Sequence, residues 1–333
     1  MRNIFYCCLI SVFLLLAGCG ADEPSLYTIG IFQVNDAPTL NTARSGFLQA
    51  LEDAGLEEGT NVRLIIKNGY GDIAEVQRIA QEFVARKVNM IAAFSTPCLQ
   101  ASLHATREIP IVFSSVANPY RAGAGTSAED HLNNVTGISS LGPIQQSLQF
   151  IKQVLPETTR LGTLWTPSEV NSEYYLELTR ENAANMGMQI VDVPIANASE
   201  VLWSAQMLLN KNVEVIYQIS DNTINEAFEA LGQVAMENTI PLFGGFLLSA
   251  EQGACAALGW DFFKLGYKAG ELALRVKAGE NPGSIPFQYM DEVRMVINLN
   301  AAEAQGVEFS PKIMERADEI IDKEEMDVPE PDR

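Results

Sequence analysis

From Tyr27 onward, short uninterrupted apolar runs alternate with segments whose apolar residues recur every three or four positions. The runs YTIGIFQV, VRLIIKN, VNMIAAF and IPIVFS are rich in β-branched residues, which predicts strands buried on both faces. Between them, Leu40, Ala43, Phe47, Leu51 and Ala54 fall on one helical face, as do Ile73, Val76, Ala80, Phe83 and Val84. Such strand–helix–strand alternation predicts right-handed crossovers and parallel sheets flanked by helices.

The plan is used twice. KVNMIAAFSTP (87–97) is answered by KNVEVIYQISDN (211–222), each a strand ending in polar groups just before a helix. IPIVFSSV (109–116) is answered in the same way by IPLFGGF (240–246). Two similar α/β lobes follow, separated near the Gly-, Ser- and Asn-rich stretch NNVTGISSLGP (133–143). Further on, Phe262, Leu265, Gly266, Ala269, Leu272, Ala273 and Val276 form one apolar stripe behind Asp261, a suitable N-cap. A strand in VRMVINLN (293–300) and a helix starting at Ser310-Pro311 complete the pattern, before an acidic tail at 324–333. A length of 333 residues suits two domains of common size.

The first residues break this pattern. MRNIFYCCLISVFLLLAGCG has one basic residue, a short apolar core and a small-residue exit, which reads residues 1–18 as an export signal rather than a membrane span. Its ending, Leu16-Ala17-Gly18-Cys19, resembles the lipobox of bacterial lipoproteins. That resemblance implies acylation of Cys19 and a polar tether over 19–26; an ordinary signal with a chance cysteine is the alternative. Of the later cysteines, Cys98 and Cys255 sit among small apolar residues and are expected to be buried and unpaired. A net charge of −20 leaves no basic patch for a phosphate backbone, so no nucleic-acid partner is expected.

Ligands of open parallel sheets lie beyond the carboxyl ends of the strands, so the polar endings are the candidate site. They are Asn35 and Asp36; Ser95 and Thr96; Ser114, Ser115 and Asn118; Thr166, Ser168, Glu169, Asn171 and Ser172; and Ser220, Asp221 and Asn222. Each residue taken singly also suits helix capping. Taken together, hydroxyls and helix amides on one lobe suit a carboxylate, and Asp221 or Glu169 on the other suits an ammonium. That is the complement of a zwitterion. Two readings of Trp165 stand open: a wall of the cleft together with Phe246, or packing within the second lobe.

Enzyme signatures fail. No Walker loop and no GxSxG occurs, and His104 and His131 lack partners at metal spacing. The outline Gly69-x-Gly71-x-x-Ala74 follows the second strand, with no acid for a ribose at the next strand end, and reads as a tight turn. No cofactor, no metal and no catalytic residue is expected.

The stretches GFLQALEDAGLEEGTNV, IAQEFVARKVNMIAAFSTPCLQA, IPIVFSSVANP, NNVTGISS, SEVNS, SDNT, GWDFFKLG and ERADEII, in this order, resemble substrate-binding lipoproteins of ABC importers. More closely, they resemble the branch that includes tryptophan- and tyrosine-uptake binding lipoproteins. The resemblance implies a type I periplasmic-binding fold with a three-segment hinge near 137–140, 255–259 and 288–292. Lobe 1 is then 27–138 plus 257–287, and lobe 2 is 139–256 plus 288–323. Implied contacts fall on Ser95, Thr96, Ser115, Ser139, the 168–172 run, Asp221 and Asn222, with Gly245 and Phe246 on a loop that borders the cleft. The chain departs from the family at Asp36-Ala37-Pro38, where His-Pro is common, and at Gly244-Gly245-Phe246. The expected function is extracytoplasmic capture of an amino acid by hinge closure. A membrane permease is the partner, with lipid anchoring to a bacterial membrane and a monomeric state. A sensor of the same fold acting on a signalling partner is the alternative.

Overall fold

The structure, a computed structural model, describes residues 26–322; the expected export signal, Cys19 and the acidic tail lie outside the described residues. The first half of the chain forms β1 (Tyr27–Gln33), α1 (Pro38–Asp53), β2 (Val62–Asn68), α2 (Ile73–Ala85), β3 (Met90–Phe94), α3 (Thr96–Ala105), β4 (Ile111–Val116) and β5 (Val135–Ser139). Then come α4 (Ile144–Val154), β6 (Arg160–Trp165), α5 (Val170–Asn185), β7 (Gln189–Pro194), α6 (Val201–Leu209), β8 (Val215–Gln218), α7 (Asn222–Glu226), α8 (Phe228–Glu237), β9 (Leu242–Gly244) and β10 (Ala256–Gly259). The chain continues through α9 (Phe262–Lys277), β11 (Gln288–Tyr289), β12 (Arg294–Asn298), α10 (Leu299–Ala304), α11 (Pro311–Met314) and β13 (Glu319–Ile321).

Two sheets result. The first has the order β11-β5-β4-β3-β1-β2 with parallel pairing throughout. The second runs β13-β12-β10-β9-β8-β6-β7, parallel except for the antiparallel pair β10–β12. The path β2-β1-β3-β4-β5 in one is repeated by β7-β6-β8-β9-β10 in the other, so the repeat read from the sequence is architectural. All five residues of β3 are buried, as a strand covered by helices on both faces requires. Edge-to-face pairs Phe32–Phe83 and Phe47–Phe94, at 5.4 and 5.5 Å, pack α2 and α1 onto opposite faces of the first sheet.

Helix α9 lies directly on α1, and the approach depends on glycine. A Cβ at Gly46 would sit 2.0 Å from the Phe263 carbonyl oxygen, and one at Gly266 would sit 1.8 Å from that of Ala43. In the outline Gly69-x-Gly71, Tyr70 and Gly71 have φ of 50° and 79° and Asp72 caps α2 through Ala74 N and Glu75 N. The motif is a turn followed by a cap.

The chain passes between sheets at 140–143, 260–261 and 290–293. These crossings lie a few residues beyond the expected segments. Ala257–Gly259 pairs within the second sheet, and Gln288–Tyr289 pairs with Ile138–Ser139 in the first, because each ladder continues to the end of its strand. The crossings are tied together: Trp260 Nε1 donates to the Leu141 carbonyl (2.9 Å), while Tyr175 Oη accepts from Gly142 N (2.8 Å) and donates to the Ser140 carbonyl (3.0 Å). The expected final helix is a single turn, and the EII of ERADEII is an edge strand beside β12.

Candidate functional site

In the first lobe two strand ends carry unusual backbone. Ser95 has φ 122°, and its Oγ accepts from Cys98 N at 3.3 Å, capping α3. One strand over, the β4–β5 register shifts between Phe113 and Val116, with Ser115 at φ 57°. This is a bulge, a device that re-aims side chains at the end of a strand. Left-handed backbone at a non-glycine residue costs roughly 1–3 kcal/mol and persists where the surroundings impose it. Next to these positions, Thr96 Oγ1, Ser114 Oγ and Ser115 Oγ are buried and make no hydrogen bond among the described residues. A buried, unpartnered polar atom costs roughly 1–3 kcal/mol.

The second lobe answers with Trp165 Nε1 and Asn171 Oδ1, which are likewise buried and unpartnered. Asn171 owes its orientation to Glu169, whose Oε2 accepts from Asn171 Nδ2 at 2.8 Å, so its carbonyl oxygen is the free end. Glu169 also accepts from Asn222 Nδ2 (2.6 Å), Thr223 N (3.1 Å) and Thr223 Oγ1 (2.7 Å), and so holds the start of α7. Asp221 accepts from Thr166 N (3.0 Å), Thr166 Oγ1 (3.1 Å) and Ile224 N (2.9 Å). Burial, and secondarily the charge of Glu169, pushes the Asp221 carboxyl up to about 7. All of these donors are neutral. The lobe therefore buries two carboxylates without setting a cation against either through these bonds.

The lobes touch. Asn35 Nδ2 donates to the Asn222 carbonyl (2.8 Å) and to Glu226 Oε2 (2.9 Å), and Arg121 pairs with Glu177 at 2.7 Å while lying over the Tyr174 ring. Helix α3 packs on α5 across the same gap. The polar ends of both sheets thus meet between the lobes.

Several expected contacts serve other purposes. Phe246 is buried edge-on against Phe228 inside the second lobe, not as a wall of the cleft. The Asp221 carboxyl accepts from Thr166 and Ile224 and so takes part in the framework of its own lobe. Ser139 Oγ donates to the Ala117 carbonyl, Asn118 Oδ1 caps Tyr120 N and Arg121 N, and Ser172 Oγ accepts from Thr166 N. Asp36 is exposed and accepts from Asn68 Nδ2, and Gly245 N donates to the Gln218 carbonyl. Asn35 and Asn222 bond each other's lobes. Sequence reading missed Glu226, Arg121 and Glu177, which carry no motif. Among the described residues, Cys98 and Cys255 are buried and form no disulfide. His104 lies exposed in the last turn of α3, and His131 stacks on Phe287.

Comparison with known proteins agrees with this architecture. The family model for ABC transporter substrate binding proteins matches residues 28–321. A tyrosine-binding protein of Clostridioides difficile (strain R20291) is 36% identical over 283 residues, covering 85% of this chain and 82% of the relative. A Vibrio cholerae conserved domain protein superposes with a TM-score of 0.85 at 31% identity, covering 88% of this chain and 99% of that one. The ABC domain from Streptococcus pneumonia in complex with L-Trp gives 0.85 at 24% identity, covering 89% and 100%. The two sheets with their flanking helices form the type I periplasmic-binding fold. The chain belongs to the ABC transporter substrate-binding protein family, whose members are extracytoplasmic binding proteins and not enzymes.

Proposed function

We propose that this chain is the solute-binding component of an ABC importer and captures an α-amino acid with an aromatic side chain between its lobes. The observation that carries the reading is that, of seven buried polar side-chain atoms without a partner among the described residues, five lie at or just beyond the carboxyl ends of strands, three on one lobe and two on the other; the remaining two are His131 Nε2 and Gln252 Oε1. The hydroxyls of Thr96, Ser114 and Ser115 donate to the ligand carboxylate, with the N-terminus of α3 adding favourable potential. Asn171 Oδ1 accepts from the ammonium. Glu169 and Asp221 stand behind it as the counter-charge rather than as direct ligands. Trp165 supplies an indole N–H beside an apolar ring, suited to a side chain that is itself amphipathic. The kinship with a tyrosine-binding protein supports the aromatic preference.

A guest that satisfies donors on one lobe and acceptors on the other binds the closed form better, and only that difference shifts the population. A closed arrangement here is supported by two relatives of equal identity, both 31%. The Vibrio cholerae structure fits at 0.85, whereas the ligand-free, open structure of a Clostridium difficile substrate binding protein with adhesive properties fits at 0.66, covering 90% of this chain and 100% of that one. The closed protein then docks on a membrane permease as a monomer, held near it by acyl chains on Cys19; the LAGC stretch supports that anchor.

Titration calorimetry with L-tyrosine, L-tryptophan, L-phenylalanine, D-galactose and myo-inositol tests the reading. One-to-one binding of at least one aromatic amino acid, lost in tyramine and in the deaminated acid, is the expected result. Binding of a sugar, or of no amino acid, overturns it.

A further inference from the structure

We infer that Asn35 and Glu226 form a closure latch that sets ligand affinity without touching ligand. The inference rests on the capture-and-closure reading above. Asn35 is 1% exposed, and its amide is fixed at both ends. Its Oδ1 accepts from Ala37 N within its own lobe, at 3.3 Å, which leaves Nδ2 to face the other lobe. Its carbonyl is held by Gln33 Nε2 at 2.7 Å, and Gln33 is itself braced by Asn41 and Arg44. Across the gap, the Nδ2 group reaches the first residue of α7 through the Asn222 carbonyl and the last through Glu226 Oε2.

The receiving side is the segment that Glu169 holds. The same carboxylate orients Asn171, the proposed ammonium acceptor, and clamps Asn222. One rigid unit therefore faces the ligand at one end and the latch at the other. The latch bonds exist only when the lobes are together, and they require no ligand. They stabilise the closed form in advance of binding, and with it every contact that needs closure.

Three variants separate this role from simple scaffolding. Asn35→Asp keeps the acceptor for Ala37 N but turns the donor into a carboxylate oxygen that faces a carbonyl and Glu226. Glu226→Gln keeps an acceptor for Asn35. Combining the two restores a bond with reversed polarity, from the glutamine amide to the new carboxylate. Spin labels at Tyr70→Cys and Trp203→Cys report opening, since both side chains are exposed, Tyr70 in the turn after the edge strand β2 and Trp203 in α6, the helix that follows the edge strand β7.

Without ligand, Asn35→Asp is expected to lengthen that distance, Glu226→Gln to leave it near wild type, and the double variant to recover much of the change. With L-tyrosine as probe, Asn35→Asp is expected to raise the dissociation rate about tenfold, in line with loss of a hydrogen bond to a charged group. An unchanged ligand-free distance in Asn35→Asp, or a double variant no better than that single one, overturns the latch. The distance is read without ligand, so it judges the latch even if the amino-acid reading fails.

Discussion

Thr166 donates both its main-chain N–H and its hydroxyl to Asp221, at 3.0 and 3.1 Å, and so makes a strand-end carboxylate part of the second lobe's framework. On the proposed reading, direct recognition of the ligand ammonium falls to Asn171, whose Oδ1 is a buried acceptor without a partner among the described residues. Asn171→Leu, similar in size but without the acceptor, is expected to weaken binding of the aromatic amino acid by about 2 kcal/mol, the scale of a hydrogen bond to a charged group. Calorimetry measures this directly. A neutral analogue that lacks the ammonium should bind the wild type and the variant with similar, weak affinity.

On the proposed reading, the buried acid pair is expected to make binding respond to pH. The Asp221 carboxyl is raised to about 7 in the folded protein, so between about pH 4 and 7 the folded state holds a proton that the unfolded state has lost. Stability from this group is therefore present at low pH and declines as pH rises towards 7. An ammonium brought close favours the ionised form, so binding near pH 7 releases protons and affinity rises between pH 6 and 8. Calorimetry at pH 7 in two buffers of different ionisation heat should give different apparent enthalpies. Equal enthalpies would remove the ammonium from the neighbourhood of Asp221.

Ser115 offers a separation of stability from function. It holds a left-handed φ of 57° and a buried hydroxyl with no partner, and both cost the ligand-free protein. Ser115→Gly relieves both and is expected to stabilise the ligand-free protein by about 1 kcal/mol. Binding should weaken about tenfold at the same time, through loss of a charge-assisted hydrogen bond. Thermal melts with and without L-tyrosine check the pair of effects. A variant that melts lower in both conditions would assign Ser115 to the scaffold.

What the sequence made legible was local. An apolar run such as VNMIAAF, short and followed directly by a capping pair, reads as a strand covered on both sides with its hydroxyls at the carboxyl end, and β3 ends at Phe94 just before Ser95 and Thr96. The repeat of that pattern revealed the second lobe. What stayed hidden depends on partners far along the chain. Thr166 and Asp221 are 55 residues apart, and Asn35 and Glu226 are 191 apart, so neither pairing leaves a spacing to read. Phe246 follows two glycines on a loop, and only the fold shows that Phe228 draws it inward. The strand at Glu319–Ile321 is too short for any period and exists because β12 offers it an edge.

The most direct test is to denature the natively purified protein and identify by mass spectrometry what it releases. The expected species is an α-amino acid with an aromatic side chain, about one per chain, with reduced recovery from Asn171→Leu. Release of a sugar or polyol at that stoichiometry, undiminished in the variant, would contradict it.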